Sequence, residues 1–129
     1  MSSESAPARP SAAVTIVIDA ALVVVFCIIG RLSHAEGIFG DLPGLTNTIW
    51  PFLAALVAVH AVALLVRVDA ARVVPGLLVW FVTLAGGMGL RGLSGQGTAM
   101  AFVIVAAVTL AVLLIGWRVV NVFVQRSRS

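Results

Sequence analysis

The chain has 129 residues; 61% of them are hydrophobic before glycine is counted, and only 13 are charged. A soluble domain has about 45–50% apolar and about 25% charged residues, so this composition excludes a soluble globule and predicts a membrane protein. Eight arginines and five acidic residues give a net charge of +3. The arginines are scattered mainly at segment ends and do not form the clustered basic face that nucleic-acid binding requires. We therefore expect no nucleic-acid partner.

Four apolar blocks follow a polar start. Residues 1–11 have no apolar period, and we expect a disordered cytoplasmic tail there. Each block is close to the ~20 residues that a helix needs to cross a bilayer, and backbone in lipid must satisfy its own hydrogen bonds. We predict an all-α integral membrane bundle of four transmembrane helices over residues 12–124, followed by a basic tail at 125–129. The four blocks cover residues 12–29, 48–66, 74–90 and 98–117.

The first block has an alternative interpretation as a secretory signal. Ser33, His34 and Ala35 provide small residues where a signal peptidase would cleave. We favour a transmembrane span, because the apolar stretch is long for a signal and contains Asp19.

The arginines predict the orientation of the bundle, because short loops rich in Lys and Arg stay in the cytoplasm. Six lie on one side of the predicted spans and two on the other, which places both termini in the cytoplasm. The absence of lysine fits a bacterial chain, so we expect a multi-pass protein of the bacterial inner membrane. The six are Arg9, Arg67, Arg72, Arg118, Arg126 and Arg128, and the two are Arg31 and Arg91.

Individual residues predict helix ends and helix contacts. Pro51 and Pro75 are expected in the first turns of the second and third helices, where a missing N–H costs nothing. Trp117 is expected at a membrane interface. Small residues spaced four apart would let helices approach closely. These small residues are Ala54 and Ala58 in the second span and Ala85 and Gly89 in the third.

The two halves of the chain share a short pattern. An offset of 60 residues aligns Arg31, Glu36 and Gly37 with Arg91, Gln96 and Gly97, each set at the outer turn of a predicted hairpin. The match is consistent with two parallel-repeat helical hairpins. Convergence on similar turn chemistry explains it equally well.

Four motifs in fixed order give a resemblance to a known family. They are GRLSHAEG at 30–37, WPF at 50–52, PGLLVW at 75–80 and LRGLSGQGTA at 90–99. In this order the motifs resemble domain-of-unknown-function family 3054, a family of small bacterial and archaeal membrane proteins. The resemblance covers most of residues 12–123. The resemblance implies a four-helix integral membrane protein and implies no activity.

Asp19 and His60 are ionisable residues inside predicted spans. At 1.5 Å per residue both lie roughly 9–10 Å from the cytoplasmic interface, and a charged group at that depth marks a functional site by default. One hypothesis is a pair that carries or gates a proton or cation. We favour the other, an interhelical hydrogen bond that locks the first helix to the second.

A second polar group is expected at the outer rim, where the first and third helices end. Two guanidiniums at one rim suit a phosphate or carboxylate, so we hypothesise a site for anionic lipid or another anion. The alternative is that the arginines only complement helix C-termini. The candidate ligand-binding residues are Arg31, His34, Glu36, Arg91 and Gln96.

The sequence has none of the common catalytic or cofactor-binding motifs. It contains no Gly-x-Ser-x-Gly, no phosphate-binding glycine loop and no His-Glu-x-x-His, so we expect no catalytic residues, no metal and no cofactor. We favour a non-enzymatic accessory or homo-oligomeric membrane component, whose partners are the lipid bilayer and a further copy or another membrane protein. The alternatives are a small transporter or permeation subunit using Asp19 and His60, and then an enzyme acting on lipid headgroups.

Overall fold

The computed structural model describes residues 10–33, 42–96 and 100–128, and these are helical apart from short connections. Four helices are long and apolar enough to cross a membrane, which is the architecture of a multi-pass membrane protein. The predicted all-α fold with four spans is thereby confirmed. The helices are α1 (Ala12–Ser33), α2 (Leu42–Leu65), α3 (Val73–Leu93), and a fourth helix made of α4 (Met100–Leu110), a π-helical segment (Ala111–Ile115) and α5 (Gly116–Arg128).

The helices run antiparallel in sequence order and define two ends of the bundle. We call the end where α1 begins and α5 finishes the terminal end, and the end where α1 finishes and α4 begins the loop end. At the terminal end α2 closes with a left-handed residue, Arg67 (φ 60°), and the N–H of Val68 bonds to the carbonyl of Ala63 at 2.9 Å. At the loop end Gly95 (φ 82°) closes α3 in the same way. Both closures satisfy carbonyls that a helix end would otherwise leave unpaired.

Pro51 does not lie in a first turn, as the sequence predicted. Helix α2 already begins at Leu42, so Pro51 is buried in the helix interior. A proline inside a membrane helix is tolerated when neighbouring groups satisfy the freed backbone. Pro75, by contrast, is the third residue of α3 and does lie in its first turn.

The π-helical segment keeps one face of the fourth helix directed at the bundle. Ala106, Leu110, Leu114 and Arg118 are all fully buried and are spaced four residues apart. In an uninterrupted α-helix a four-residue spacing drifts by about 40° per step. The wider π turn takes up part of this drift, so Arg118 stays on the inward face. The helix then continues to Arg128, beyond the predicted end of the bundle at residue 124.

The predicted small-residue contacts lie one position away from those observed. Helix α2 packs most extensively on α3, and a Cβ built on Gly86 would lie 2.8 Å from the Cβ of Ala55. The small residues singled out in the sequence are instead exposed on the outside of the bundle. A helix of this bundle buries the side chains on one face only. The buried face contains Ala55 and Gly86, each one residue after a small residue that is exposed. The exposed residues are Ala54, Ala58, Ala85 and Gly89.

Aromatic packing fills the loop-end half of the bundle. The ring of Phe26 meets those of Phe52 and Phe102 edge-on, at centroid distances of 5.3 and 6.2 Å, and Phe52 and Phe102 are stacked at 6.2 Å. Gly87 makes room for Phe52, because a Cβ at Gly87 would overlap the ring. Polar side chains gather instead in the other half, toward the terminal end.

Candidate functional site

The carboxylate of Asp19 is the centre of a buried polar cluster. Its side chain is fully buried, and each oxygen accepts two hydrogen bonds. Oδ1 accepts from Nε1 of Trp117 (2.8 Å) and from Nη1 of Arg118 (2.9 Å). Oδ2 accepts from Nη2 of Arg118 (2.7 Å) and from Nε2 of His60 (2.7 Å). We name these four residues, Asp19, His60, Trp117 and Arg118, the Asp19 cluster.

Arg118 joins three parts of the chain. Two of its nitrogens form a two-point ion pair with Asp19, the geometry in which guanidinium and carboxylate bind most strongly. Nε donates to the carbonyl of Ala70 (2.8 Å), and Nη1 also donates to the carbonyl of Leu114 (2.8 Å). The guanidinium therefore ties α1 and the α2–α3 connection to the fourth helix.

Gly76 makes space for this arginine. A Cβ built on Gly76 would overlap the Arg118 side chain, with Nε only 2.7 Å away. Because glycine has no side chain, the arginine lies directly against the backbone of α3. Any other residue at position 76 would push the guanidinium away from Asp19.

His60 brings α2 into the cluster. A carboxylate only accepts hydrogen bonds, so Nε2 of His60 carries the proton in this contact. The ring is 3% exposed and borders a cavity of about 50 Å³, which Thr15 and Asp69 also line. This small cavity lies on the terminal-end side of the cluster.

The carboxylate of Asp19 is paired with the guanidinium of Arg118 inside the bundle. A charged side chain in the middle of a membrane is costly and normally pairs with another, and here the acid has a guanidinium at hydrogen-bond distance. Each carboxylate oxygen also accepts a second hydrogen bond, Oδ1 from Trp117 and Oδ2 from His60. The arrangement fixes α1, α2 and the fourth helix in one geometry, as fully satisfied polar networks do.

Two sequence predictions concerning this cluster need correction. Trp117 was predicted to lie at a membrane interface, and its indole instead points inward to Asp19. Arg118 was counted among the loop charges that set the orientation, although it is fully buried. The reason is that the fourth span was predicted to end at residue 117, whereas the apolar helix continues to Ser127. Charged residues inside membrane spans usually pair with one another. Had Arg118 been recognised as lying within the fourth span, the sequence would have predicted its pairing with Asp19.

At the loop end, Arg91 and Gln96 contact each other. Nη1 of Arg91 donates to Oε1 of Gln96 (3.1 Å), and its guanidinium lies 4.3 Å from the ring centroid of Phe102. The carbonyl of Arg91 also accepts from the backbone of Gln96 (2.8 Å) and from Oγ of Ser94 (3.1 Å). These contacts lie where α3 ends, and the guanidinium itself contacts Gln96 and Phe102.

The other three predicted rim residues belong to the first half of the chain. Arg31 belongs to the last turn of α1, while His34 and Glu36 lie outside the described residues. The offset-60 repeat also rests partly on residues beyond them, so it stays a prediction. Among the residues that the structure describes, no three His, Cys, Asp or Glu side chains form a group that could hold a metal ion.

Comparison with known proteins gives one match. A family model described as "Protein of unknown function (DUF3054)" matches residues 16–121, which confirms the predicted family. Neither the curated proteins nor the solved structures gave a match to the chain. The matched range includes Asp19, His60, Trp117 and Arg118.

Proposed function

This chain belongs to the DUF3054 family, and we propose that it is a non-enzymatic component of the bacterial inner membrane that self-associates in the bilayer. The observation that carries the proposal is the exposed small-residue surface of α2 and α3. It consists of Ala54, Ala58, Ala85 and Gly89, and we name it the small-residue face.

The small-residue face has the geometry of a helix-packing surface. The intramolecular interface of α2 and α3 already uses Ala55 and Gly86. Ala54 precedes Ala55 and Ala85 precedes Gly86, and helical periodicity places both on the side of the hairpin away from the core. The four residues form two small-xxx-small pairs, Ala54 with Ala58 and Ala85 with Gly89. Lipid provides no hydrophobic driving force for helix association, so membrane helices associate through close van der Waals packing. Pairs of small residues allow this close approach.

The interior of the bundle supports a binding role over conduction. The Asp19 carboxylate has two donors on each oxygen, so its charge is already compensated. The loop-end half is filled by three phenylalanine rings. A solute path across the bundle would have to pass both layers.

The outer rim is the proposed contact with anionic lipid. Its described members, Arg91 and Gln96, lie at the loop end where α3 closes. Arg31, His34 and Glu36 complete the proposed rim. With both termini in the cytoplasm this rim faces the outer leaflet.

A second candidate function is a proton or cation site, which one observation favours. His60 contacts Asp19 and also borders the cavity of about 50 Å³ toward the terminal end. A proton could pass from that cavity to the imidazole. In proteoliposomes with an internal pH dye, this function requires a proton flux that His60→Gln abolishes, whereas self-association alone predicts none.

Energy transfer between labelled copies in liposomes tests the self-association. We expect transfer well above random encounter for the unaltered chain. Ala54→Leu combined with Ala85→Leu places bulky side chains on the small-residue face and should bring transfer down to the random level. The matched control is Val17→Leu with Val108→Leu, which adds the same kind of side chain at exposed positions of α1 and α4. Equal transfer in both double variants would contradict the proposal.

A further inference from the structure

A large cavity lies at the terminal end, outside the Asp19 cluster. It is a groove of about 610 Å³ between the start of α3 and the amphipathic end of α5, with Pro10 at its edge. Arg72, from the α2–α3 connection, and Arg126, from α5, are among the residues that line it. We propose that this terminal groove binds the phosphate group of an anionic phospholipid or of a free phosphate.

Charge and hydrogen-bonding capacity favour an anion in the terminal groove. Two guanidiniums from separate elements and the amides of Asn121 and Gln125 line it, and guanidinium matches phosphate oxygens in a fork geometry. Asp69 is the one acid among its described lining residues, and Oδ1 of Asp69 already accepts from the N–H of Ala71 (3.0 Å). Gln125, Arg126 and Asp69 also interact within the chain, so a ligand would add to an existing polar network.

The backbone at the start of α3 adds to this preference. Arg72 occupies the N-cap position and provides no side-chain cap. The first N–H groups of a helix carry partial positive charge and attract anions. They therefore act in the same direction as the two arginines of the groove.

The position of the groove matches the depth of a lipid headgroup. Arg126 lies eight residues beyond the buried Arg118, about 12 Å along the helix. Over this stretch α5 is amphipathic, with Asn121 and Gln125 lining the groove beside apolar residues. Apolar side chains also border the groove, including Val74, which is 73% exposed. A molecule with a phosphate and acyl chains fits such a lining.

This site is independent of the proposed self-association and of the outer rim. It lies at the opposite end of the bundle from Arg91 and does not involve the small-residue face. Failure of either proposal leaves the other unaffected.

Native mass spectrometry of the full chain in uncharged detergent tests the site. Phosphatidylglycerol and phosphatidylcholine are added in turn, and bound lipid is counted. We expect preferential binding of phosphatidylglycerol, and a loss of about tenfold in affinity for Arg72→Gln and for Arg126→Gln, since each removes a charge-assisted hydrogen bond. The control is Arg67→Gln, which removes the same charge from an exposed position of the α2–α3 connection outside the groove.

A further variant adds a charge instead of removing one. Val74→Glu places a carboxylate in the groove at the first turn of α3, where the helix dipole favours it, so the fold is preserved and phosphatidylglycerol binding should fall. Inorganic phosphate identifies the source of the ligand: displacement of the lipid shows a site open to free phosphate, and no displacement shows a lipid site. Equal losses for Arg67→Gln and the two groove arginines, or no loss in any variant, would overturn the proposal.

Discussion

Asp19 and Arg118 form a two-point ion pair inside the membrane bundle, with Nη1 to Oδ1 at 2.9 Å and Nη2 to Oδ2 at 2.7 Å. The two residues are 99 positions apart in the sequence and join the first helix to the last. Both side chains are fully buried. Removing one partner therefore leaves the other charged group without compensation in an apolar interior, and this defines the first prediction.

Asp19→Asn should destabilise the bundle by about 3–5 kcal/mol, because Arg118 is left as an uncompensated buried charge. Arg118→Gln should cost a similar amount. Combining the two substitutions removes both charges, so the double variant should be less destabilised than the sum of the single variants. Reversible denaturation in mixed detergent, followed by helical circular dichroism, measures all three. Strict additivity would contradict the ion pair.

Gly76→Ala should cost about 1–3 kcal/mol through overpacking. A methyl group at position 76 overlaps the Arg118 side chain and displaces the guanidinium. The control is Gly30→Ala, where a Cβ meets nothing within 4 Å. Alanine there should be neutral or stabilise by up to ~1 kcal/mol through helix propensity. A thermal melt of both variants checks the difference, and an equal effect would show that Gly76 is not needed for the arginine.

His60→Leu should cost less than Asp19→Asn, about 1–3 kcal/mol, because Asp19 keeps its three other donors. His60→Gln retains an N–H donor and should recover part of the loss. The same detergent denaturation separates the variants. A His60→Leu variant as unstable as Asp19→Asn would mean that the imidazole, and not the guanidinium, is the main partner of the acid.

The orientation can be tested with reporter fusions. With Arg118 buried in the ion pair, five arginines (9, 67, 72, 126 and 128) remain on the terminal side and two (31 and 91) on the loop side. The charge bias still predicts that both termini lie in the cytoplasm. A reporter fused after Ser129 should be active only in its cytoplasmic form. Activity of the periplasmic form of the reporter would contradict this orientation and would place the terminal end of the bundle on the periplasmic side.

The sequence was sufficient for the fold because hydrophobicity alone identifies membrane helices. The sequence also predicted that Asp19 and His60 lie at the same depth, because each is only a few residues from a predicted helix end at the same side of the membrane. Arg118 was missed for a local reason: an arginine after a tryptophan looks like the end of a span, and the helix continues past it. The π-helical segment that turns Arg118 inward has no sequence signal in one chain.

The small-residue face shows a second limit of sequence reasoning. Ala54 and Ala85 have the spacing of packing residues, yet their neighbours Ala55 and Gly86 make the internal contact. Both sets have equally small side chains. Only the observed rotation of α2 and α3 about their axes distinguishes the inner face from the outer one.

Oxidative cross-linking through the small-residue face tests the central claim of self-association most directly. In a Cys27→Ala background, a cysteine at Ala58→Cys lies on the proposed interface, and one at Val108→Cys lies on the exposed side of α4. In native-composition liposomes at low protein density we predict rapid disulfide-linked dimers for Ala58→Cys and little product for Val108→Cys. Equal cross-linking at both positions, or none at Ala58→Cys, would contradict self-association through this face.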